Sequence, residues 1–187
     1  MHGPSTPSPW VQRFVHLIRP GGSVLDVACG SGRHVQWLAE QGFAVTGVDR
    51  DAGALAAVEG QAELLVADIE GGPWPLPGRR FDCVVVTNYL WRPLFPQWMS
   101  SLAAGGVYLH ETFADGHQHI GRPSRPDFLL QRGELLQACA GLRIVAFEDG
   151  YEPGADGGRH VQRIAAVNEL KSPAVPPRYP LGTVAGG

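Results

Sequence analysis

Residues 23–40 limit the possible folds of this chain more than any other stretch. Ser23–Val27 is an apolar run broken by one acid, Asp26. A glycine-rich turn follows, Cys29-Gly-Ser-Gly32, and Arg33–Glu40 then sets Val35, Leu38 and Ala39 at helical spacing. A strand with no polar face has to be covered on both sides, as in a parallel sheet. A Gly-x-Gly turn lets the backbone pass tightly beneath a ligand, at a helix start whose free N–H groups favour anionic groups.

The same unit recurs. Strands are predicted over Ala44–Val48, Ala62–Ala67, Asp82–Val86 and Val107–Thr112, with helices over Ala52–Val58 and Leu94–Leu102. After the fifth strand the rhythm changes to a helix over Arg132–Ala140 and two strands, Leu142–Glu148 and His160–Val167. These two are joined by the polar loop Asp149–Arg159, the spacing of an antiparallel hairpin. The expected fold is α/β, doubly wound and Rossmann-like. Its mostly parallel seven-stranded sheet ends in an antiparallel C-terminal hairpin, with helices on both faces. A short helix over Pro9–Ile18 precedes it. Residues 1–8 are expected to be disordered, 9–170 to form one domain, and the Pro/Gly-rich segment 171–187 to be a mobile tail.

Bulk properties narrow the partners. At 187 residues the chain suits one domain with a sizeable core. Its formal net charge of −3 offers no broad basic field for nucleic acid. No apolar stretch reaches the roughly 20 residues that span a bilayer, and the N-terminus lacks the layout of a signal peptide. Three widely spaced cysteines, Cys29, Cys83 and Cys139, read as reduced, buried thiols. The expectation is a soluble cytoplasmic protein, a monomer or a homodimer paired through the hairpin edge.

Three acids stand at successive strand ends, where an open α/β sheet holds its ligand. Asp26 lies in the first strand, four residues before Gly30. Asp49 ends the second strand, where a carboxylate can accept from both hydroxyls of a ribose; capping the next helix is its alternative role. Asp68 ends the third, where it can accept from an adenine amino group or simply begin a turn. The dinucleotide fingerprint needs a third glycine three residues beyond Gly32, and that position is Val35. A nicotinamide-dependent oxidoreductase is thereby disfavoured. A carboxylate at position 26 suits a cationic amino-acid ligand better than a pyrophosphate.

Asp26-x-Ala-x-Gly-x-Gly32 resembles the first motif of class I S-adenosylmethionine-dependent methyltransferases, with Ala28 in place of the usual first glycine. Val45-Thr-Gly-Val-Asp-Arg50 is similar to their second-strand motif, and Leu65-Val-Ala-Asp-Ile69 to their third. The brevity of the chain and Gly32-Arg-His34 resemble a small bacterial branch related to the tellurite-resistance methyltransferases. The resemblance implies S-adenosylmethionine as methyl donor and a small-molecule acceptor. It implies Asp26, Gly30 and Gly32 around the methionine moiety and Asp49 on the ribose, with Ala28, Arg33 and Arg50 also among the donor-binding residues. Asp68 and Ile69 would hold the adenine, and the Thr87–Asn88 backbone the amino group. A protein that binds this donor or its homocysteine product without transfer is the alternative.

For the acceptor, the fourth and fifth strand ends supply Tyr89, Trp91, Arg92 and His110, and the long stretch 114–126 adds Arg122. The aromatics wall a pocket or pack the loop onto the core. The arginines meet an acidic group or water. His110 and Glu111 are candidate general bases, although a structural hydrogen-bonding role competes. His117 and His119 complete no known metal pattern, and no metal is expected.

Overall fold

A computed structural model describes residues 6–154, 157–169, 175 and 177–182. The chain forms α1 (Pro9–Phe14), β1 (Ser23–Val27), α2 (Arg33–Glu40), β2 (Ala44–Asp49), α3 (Ala52–Leu55) and β3 (Glu63–Val66). It continues through β4 (Phe81–Thr87), α4 (Phe95–Ser100), β5 (Leu102–Phe113), α5 (Glu134–Ala138), β6 (Arg143–Glu152) and β7 (Arg159–Val167). These strands make one seven-stranded sheet in the order β3-β2-β1-β4-β5-β7-β6. All neighbours are parallel except β5–β7 and β7–β6, so the hairpin closes the sheet antiparallel, as expected.

Alternation along the strands splits the core in two. Val24, Cys83, Val85, Val107 and Leu109 face the layer of α1, α2 and α3, packing with Trp10, Phe14, Val35 and Leu38. Leu25, Val27, Val84, Val86 and Tyr108 face the other layer with Trp98 of α4 and Leu135 of α5. Val27 of β1 pairs with Val48 of β2 and Val86 of β4, so the carboxyl ends of these strands lie level and share one rim.

Several boundaries differ from the sequence expectation. The helix expected over Ala52–Val58 is α-helical only to Leu55 and tightens to a 3₁₀ turn over Ala56–Val58. The Leu94–Leu102 segment is helical over Phe95–Ser100, and Arg92–Leu94 forms a 3₁₀ turn around Pro93. Both hairpin strands run past their expected ends, because cross-strand ladder bonds continue to Glu152–Arg159 and shorten the loop. Ser8, placed in the disordered N-terminus, is buried and caps α1 by accepting from the N–H groups of Trp10 and Val11. The described part of the expected tail packs as well. The carbonyl of Leu181 accepts from Arg13 at 3.1 Å, and that of Pro180 accepts from His16 at 2.9 Å. Residues 1–5, most of 170–176 and 183–187 lie outside the described residues.

Candidate active site

The turn after β1 is built on left-handed backbone. Gly30 and Gly32 have φ of 56° and 76°, and Ala28 has φ of 52°, a conformation that costs a residue with a Cβ roughly 1–2 kcal/mol. Gly32 is needed for space as well as angle, since a Cβ there would stand 2.5 Å from Val58 Cγ2. A Cβ on Gly30 would meet nothing within 4 Å, so open space lies above this part of the turn.

The strand-end acids hold the rim together through backbone amides. Asp49 Oδ2 accepts from the Gly30 N–H at 2.7 Å, and Oδ1 from the Asp51 N–H at 2.9 Å. Asp49 therefore ties the glycine turn to β2, while Asp51 caps α3. Asp68 Oδ1 accepts from the N–H groups of Glu70 and Gly71 at 3.0 and 3.1 Å. These bonds hold its carboxyl below the usual range. Each carboxylate keeps lone pairs beyond those used here.

A cavity of about 390 Å³ opens over these strand ends. Six residues expected at the donor line it: Ala28, Asp49, Arg50, Asp68, Ile69 and Asn88. Glu70, Tyr89 and Phe128 wall its far side. A neighbouring chamber of about 220 Å³ shares Glu70, Asn88, Tyr89 and Phe128 and adds Thr112, Phe113 and Pro123. Tyr89 is the one expected acceptor residue that faces this space. Its hydroxyl donates to Glu70 Oε1 at 3.2 Å, and burial with the nearby Glu70 charge raises its pKa. Glu70 and Phe128 were not singled out from sequence. Glu70 had a usable signal, two residues beyond the β3 acid, whereas Phe128 arrives from a distant loop.

Asp26, Gly30, Gly32, Arg33 and Thr87 sit beside the cavity without lining it. Asp26 is 1% exposed, and neither carboxylate oxygen has a hydrogen-bond partner among the described residues. Burial pushes its pKa up to about 7, with Arg33 opposing and Asp49 adding to the rise. His34 lies next to it. The Ser8 N–H donates to His34 Nε2 at 3.0 Å, so the ring proton sits on Nδ1, 3.5 Å from Thr87 Oγ1 and 3.9 Å from Asp26 Oδ2. Arg33 reaches Thr87 Oγ1 and the Thr6 carbonyl, both at 3.4 Å.

The remaining acceptor and base candidates have other partners. His110 is fully buried: Nε2 donates to the Tyr89 carbonyl at 3.0 Å, and Nδ1 accepts from the Tyr108 hydroxyl at 2.8 Å. Burial lowers its pKa to about 4, and both nitrogens are committed, so the ring is a strut rather than a base. Glu111 faces the opposite layer, ion-paired with Arg163 and accepting from Ser8 Oγ at 3.0 Å. Arg92 pairs with Glu134 at 2.7 Å and donates to the carbonyls of Asp127 and Leu129, locking the loop onto α5. Trp91 packs on the core beneath α4, and exposed Arg122 lines neither chamber. His117 stacks on Phe113 with ring centroids 4.4 Å apart. Cys29, Cys83 and Cys139 are buried free thiols.

Comparison with known proteins agrees with this geometry. Residues 24–106 match the family described as a methyltransferase domain, from the first strand to the start of the fifth. TehB from Haemophilus influenzae superposes with a TM-score of 0.68 at 18% identity, over 83% of this chain and 60% of that one. The chain thus spans less than two thirds of TehB. A SAM-dependent methyltransferase from Methanosarcina mazei gives 0.68 at 17% identity, over 89% of this chain and 100% of that one. The glycopeptide N-methyltransferase MtfA, solved with S-adenosylhomocysteine, gives 0.61 at 18% identity, covering 87% and 90% of the two chains. No curated protein sequence matches the chain. The fold is that of the class I methyltransferases.

Proposed function

We propose that the protein transfers a methyl group from S-adenosylmethionine to a small-molecule acceptor. The observation that carries this reading is the cavity over β1–β4, into which Asp49 and Asp68 present carboxylates one strand apart. Its volume lies in the range of small-molecule sites, roughly 300–1,000 Å³. The donor set suits the ligand. Asp49 has lone pairs left for a ribose diol, and Asp68 has them for an adenine amino group. Ile69 offers the adenine an apolar surface. Asp26, without a hydrogen-bond partner among the described residues, supplies a negative charge beside the turn where a methionine ammonium would lie.

S-Adenosylmethionine brings an activated methyl group on a sulfonium, so the displacement needs alignment more than it needs acid or base help. The chain's contribution is positional. The glycine turn and Asp26 stand at the donor's methionine end, Asp49 at its ribose and Asp68 and Ile69 at its base, and Tyr89 and Asn88 stand where the two chambers meet. Three free buried thiols support placing the protein in a reducing cytoplasm. Among the described residues, no helix is long and apolar enough to cross a membrane. Calorimetric titration with S-adenosylhomocysteine and, separately, NADH tests the reading. Binding of the first in the micromolar range and none of the second is expected. The reverse pattern sinks it.

A further inference from the structure

Resting on the donor reading above, we propose that the acceptor is an amine carried on a single apolar ring, with Glu70 as the group that holds it and takes its proton. The smaller chamber, about 220 Å³, has the size for such a molecule: an apolar cavity of about 150 Å³ suffices for benzene. Leu90, Phe113, Pro123 and Phe128 give it a mainly apolar wall, Asn88, Tyr89 and Thr112 add neutral polar groups, and its one charged lining residue among those described is Glu70. The arginines and histidines that could have neutralised an anionic acceptor are engaged or turned elsewhere. Arg92 is held by Glu134, His117 lies stacked on Phe113, and His110 is buried behind Tyr89. An anion placed here would meet a carboxylate and no cation among the chamber's described lining residues. Arg50 lies in the donor cavity, and Arg125 stands over the Phe128 ring but is paired with Asp127. A protonated or alkylated nitrogen would meet a carboxylate and aromatic faces.

Glu70 also stands in the right place. It lines both chambers, as do Asn88, Tyr89 and Phe128, so the methyl group has to cross at their junction. The Tyr89 hydroxyl donates to Glu70 Oε1 at 3.2 Å, orienting the carboxylate and leaving its other oxygen for the nitrogen. The Glu70 carboxylate first takes a proton from the bound ammonium. The freed nitrogen lone pair then forms the N–CH₃ bond as the C–S bond breaks, and the departing electron pair stays on sulfur, now a thioether. The proton held by Glu70 passes from this exposed residue to water, and the product leaves as the N-methylated ammonium.

The test uses the full chain. Labelled methyl transfer from S-adenosylmethionine is measured across benzylamine, N-methylbenzylamine and tryptamine, and across phenylacetate, benzyl mercaptan and tellurite. Benzylamine is also titrated calorimetrically into the S-adenosylhomocysteine complex of the wild type and of Glu70→Gln. Label is expected in the amines, with kcat/KM in Glu70→Gln about 100-fold lower. The variant's rate should need a higher pH, because its amine must lose its proton without a carboxylate. S-Adenosylhomocysteine affinity should stay within a few-fold, and Glu70 is exposed, so the variant is expected to fold. Labelling of the thiol, carboxylate or oxyanion in preference to the amines overturns the inference while leaving the donor reading intact. So does an unchanged pH profile in Glu70→Gln, or failure of benzylamine to bind the complex. Failure of S-adenosylhomocysteine itself to bind removes the donor reading instead.

Discussion

The two ends of the sheet's carboxyl rim use carboxylates in opposite ways. At the β1–β3 end, Asp49 and Asp68 accept from backbone amides, Asp49 across to Gly30 and Asp68 within its own turn, and keep oxygen lone pairs for an open cavity. At the β5–β7 end, Glu111 is buried against Arg163, with Arg159 at 3.7 Å, and Glu148 and Glu152 extend the pairing along β6. The difference lies in what neutralises the charge. Amide dipoles hold a carboxylate in place while leaving it able to bind something else. Guanidinium groups hold it and use it up. A carboxylate at a strand end is thus a ligand-binding group only where its partners are neutral.

The sharpest break of this contrast comes from Glu111→Ala. It strips Arg163 of its buried partner while leaving Glu148 and Glu152, so the cost is that of one charged hydrogen-bonding partner, about 1.5–3 kcal/mol. The expected result is a fall in Tm by calorimetry, with S-adenosylhomocysteine affinity within a few-fold of wild type at a temperature where the variant is folded. A stable variant that binds but does not turn over would return Glu111 to the catalytic candidates.

Asp26 stands between the two types, buried like Glu111 but without a hydrogen-bond partner among the described residues. Its folded pKa is raised to about 7 against 3.8 for the ordinary group. Below the ordinary value both folded and unfolded chains carry the proton, and nothing is lost. As pH rises from there toward 7, the unfolded chain ionises first and folding is progressively disfavoured. The cost is complete above the folded pKa. Asp26→Asn should therefore stabilise the ligand-free protein at pH 8 by roughly 2–4 kcal/mol and leave it little changed at pH 4. It should also weaken S-adenosylhomocysteine binding through loss of the charge facing the ammonium. His34 and His110 act with the opposite sign. Their folded pKa values are lowered to about 3 and about 4, so both variant and wild type lose stability as pH falls below 6.5. Equal stability of variant and wild type at pH 8 would mean that Asp26 is not an isolated charge.

Asp49→Asn separates holding the turn from holding the ligand. The amide NH₂ now faces either the Gly30 or the Asp51 N–H, and the opposed donor costs a charge-assisted hydrogen bond of about 1.5–3 kcal/mol. S-Adenosylhomocysteine affinity should fall about 100-fold by calorimetry. An unchanged affinity would show that the carboxylate serves the turn alone.

The legible half of the site is the half made of short-range chemistry. Asp26, Gly30, Gly32, Asp49 and Asp68 each sit within a few residues of a strand end, and the sheet's register brings those ends level. Position in the chain was therefore enough to place them at the rim. The acceptor chamber is assembled from β5, from Pro123 and Phe128 in the following loop, and from Glu70 beyond β3, a combination no local pattern encodes. His110 and Glu111 show the same limit within two adjacent residues. Alternation along β5 sends one into each layer, and neither into the cavity. Which arginine would be spent on Glu134 depended likewise on a contact 42 positions away.

The smallest expected effect sharpens the comparison at its origin, the first turn. Ala28 holds φ at 52° where glycine would rest without strain, and its Cβ lines the donor cavity. Ala28→Gly removes roughly 1–2 kcal/mol of left-handed strain. It returns about 0.4–1 kcal/mol of entropy to the unfolded chain. The first term is the larger, so a net stabilisation of about 0.5–1 kcal/mol is expected, a rise in Tm of roughly 2–3 °C for a domain of this size. Donor affinity should change little, because one methyl group leaves a wall that Ile69 and Tyr89 still define. A lower Tm would mean that the Ala28 methyl packs into the core well enough to outweigh its backbone, consistent with its contact with the Leu25 and Val27 cluster. The alanine would then belong to the fold as well as to the turn.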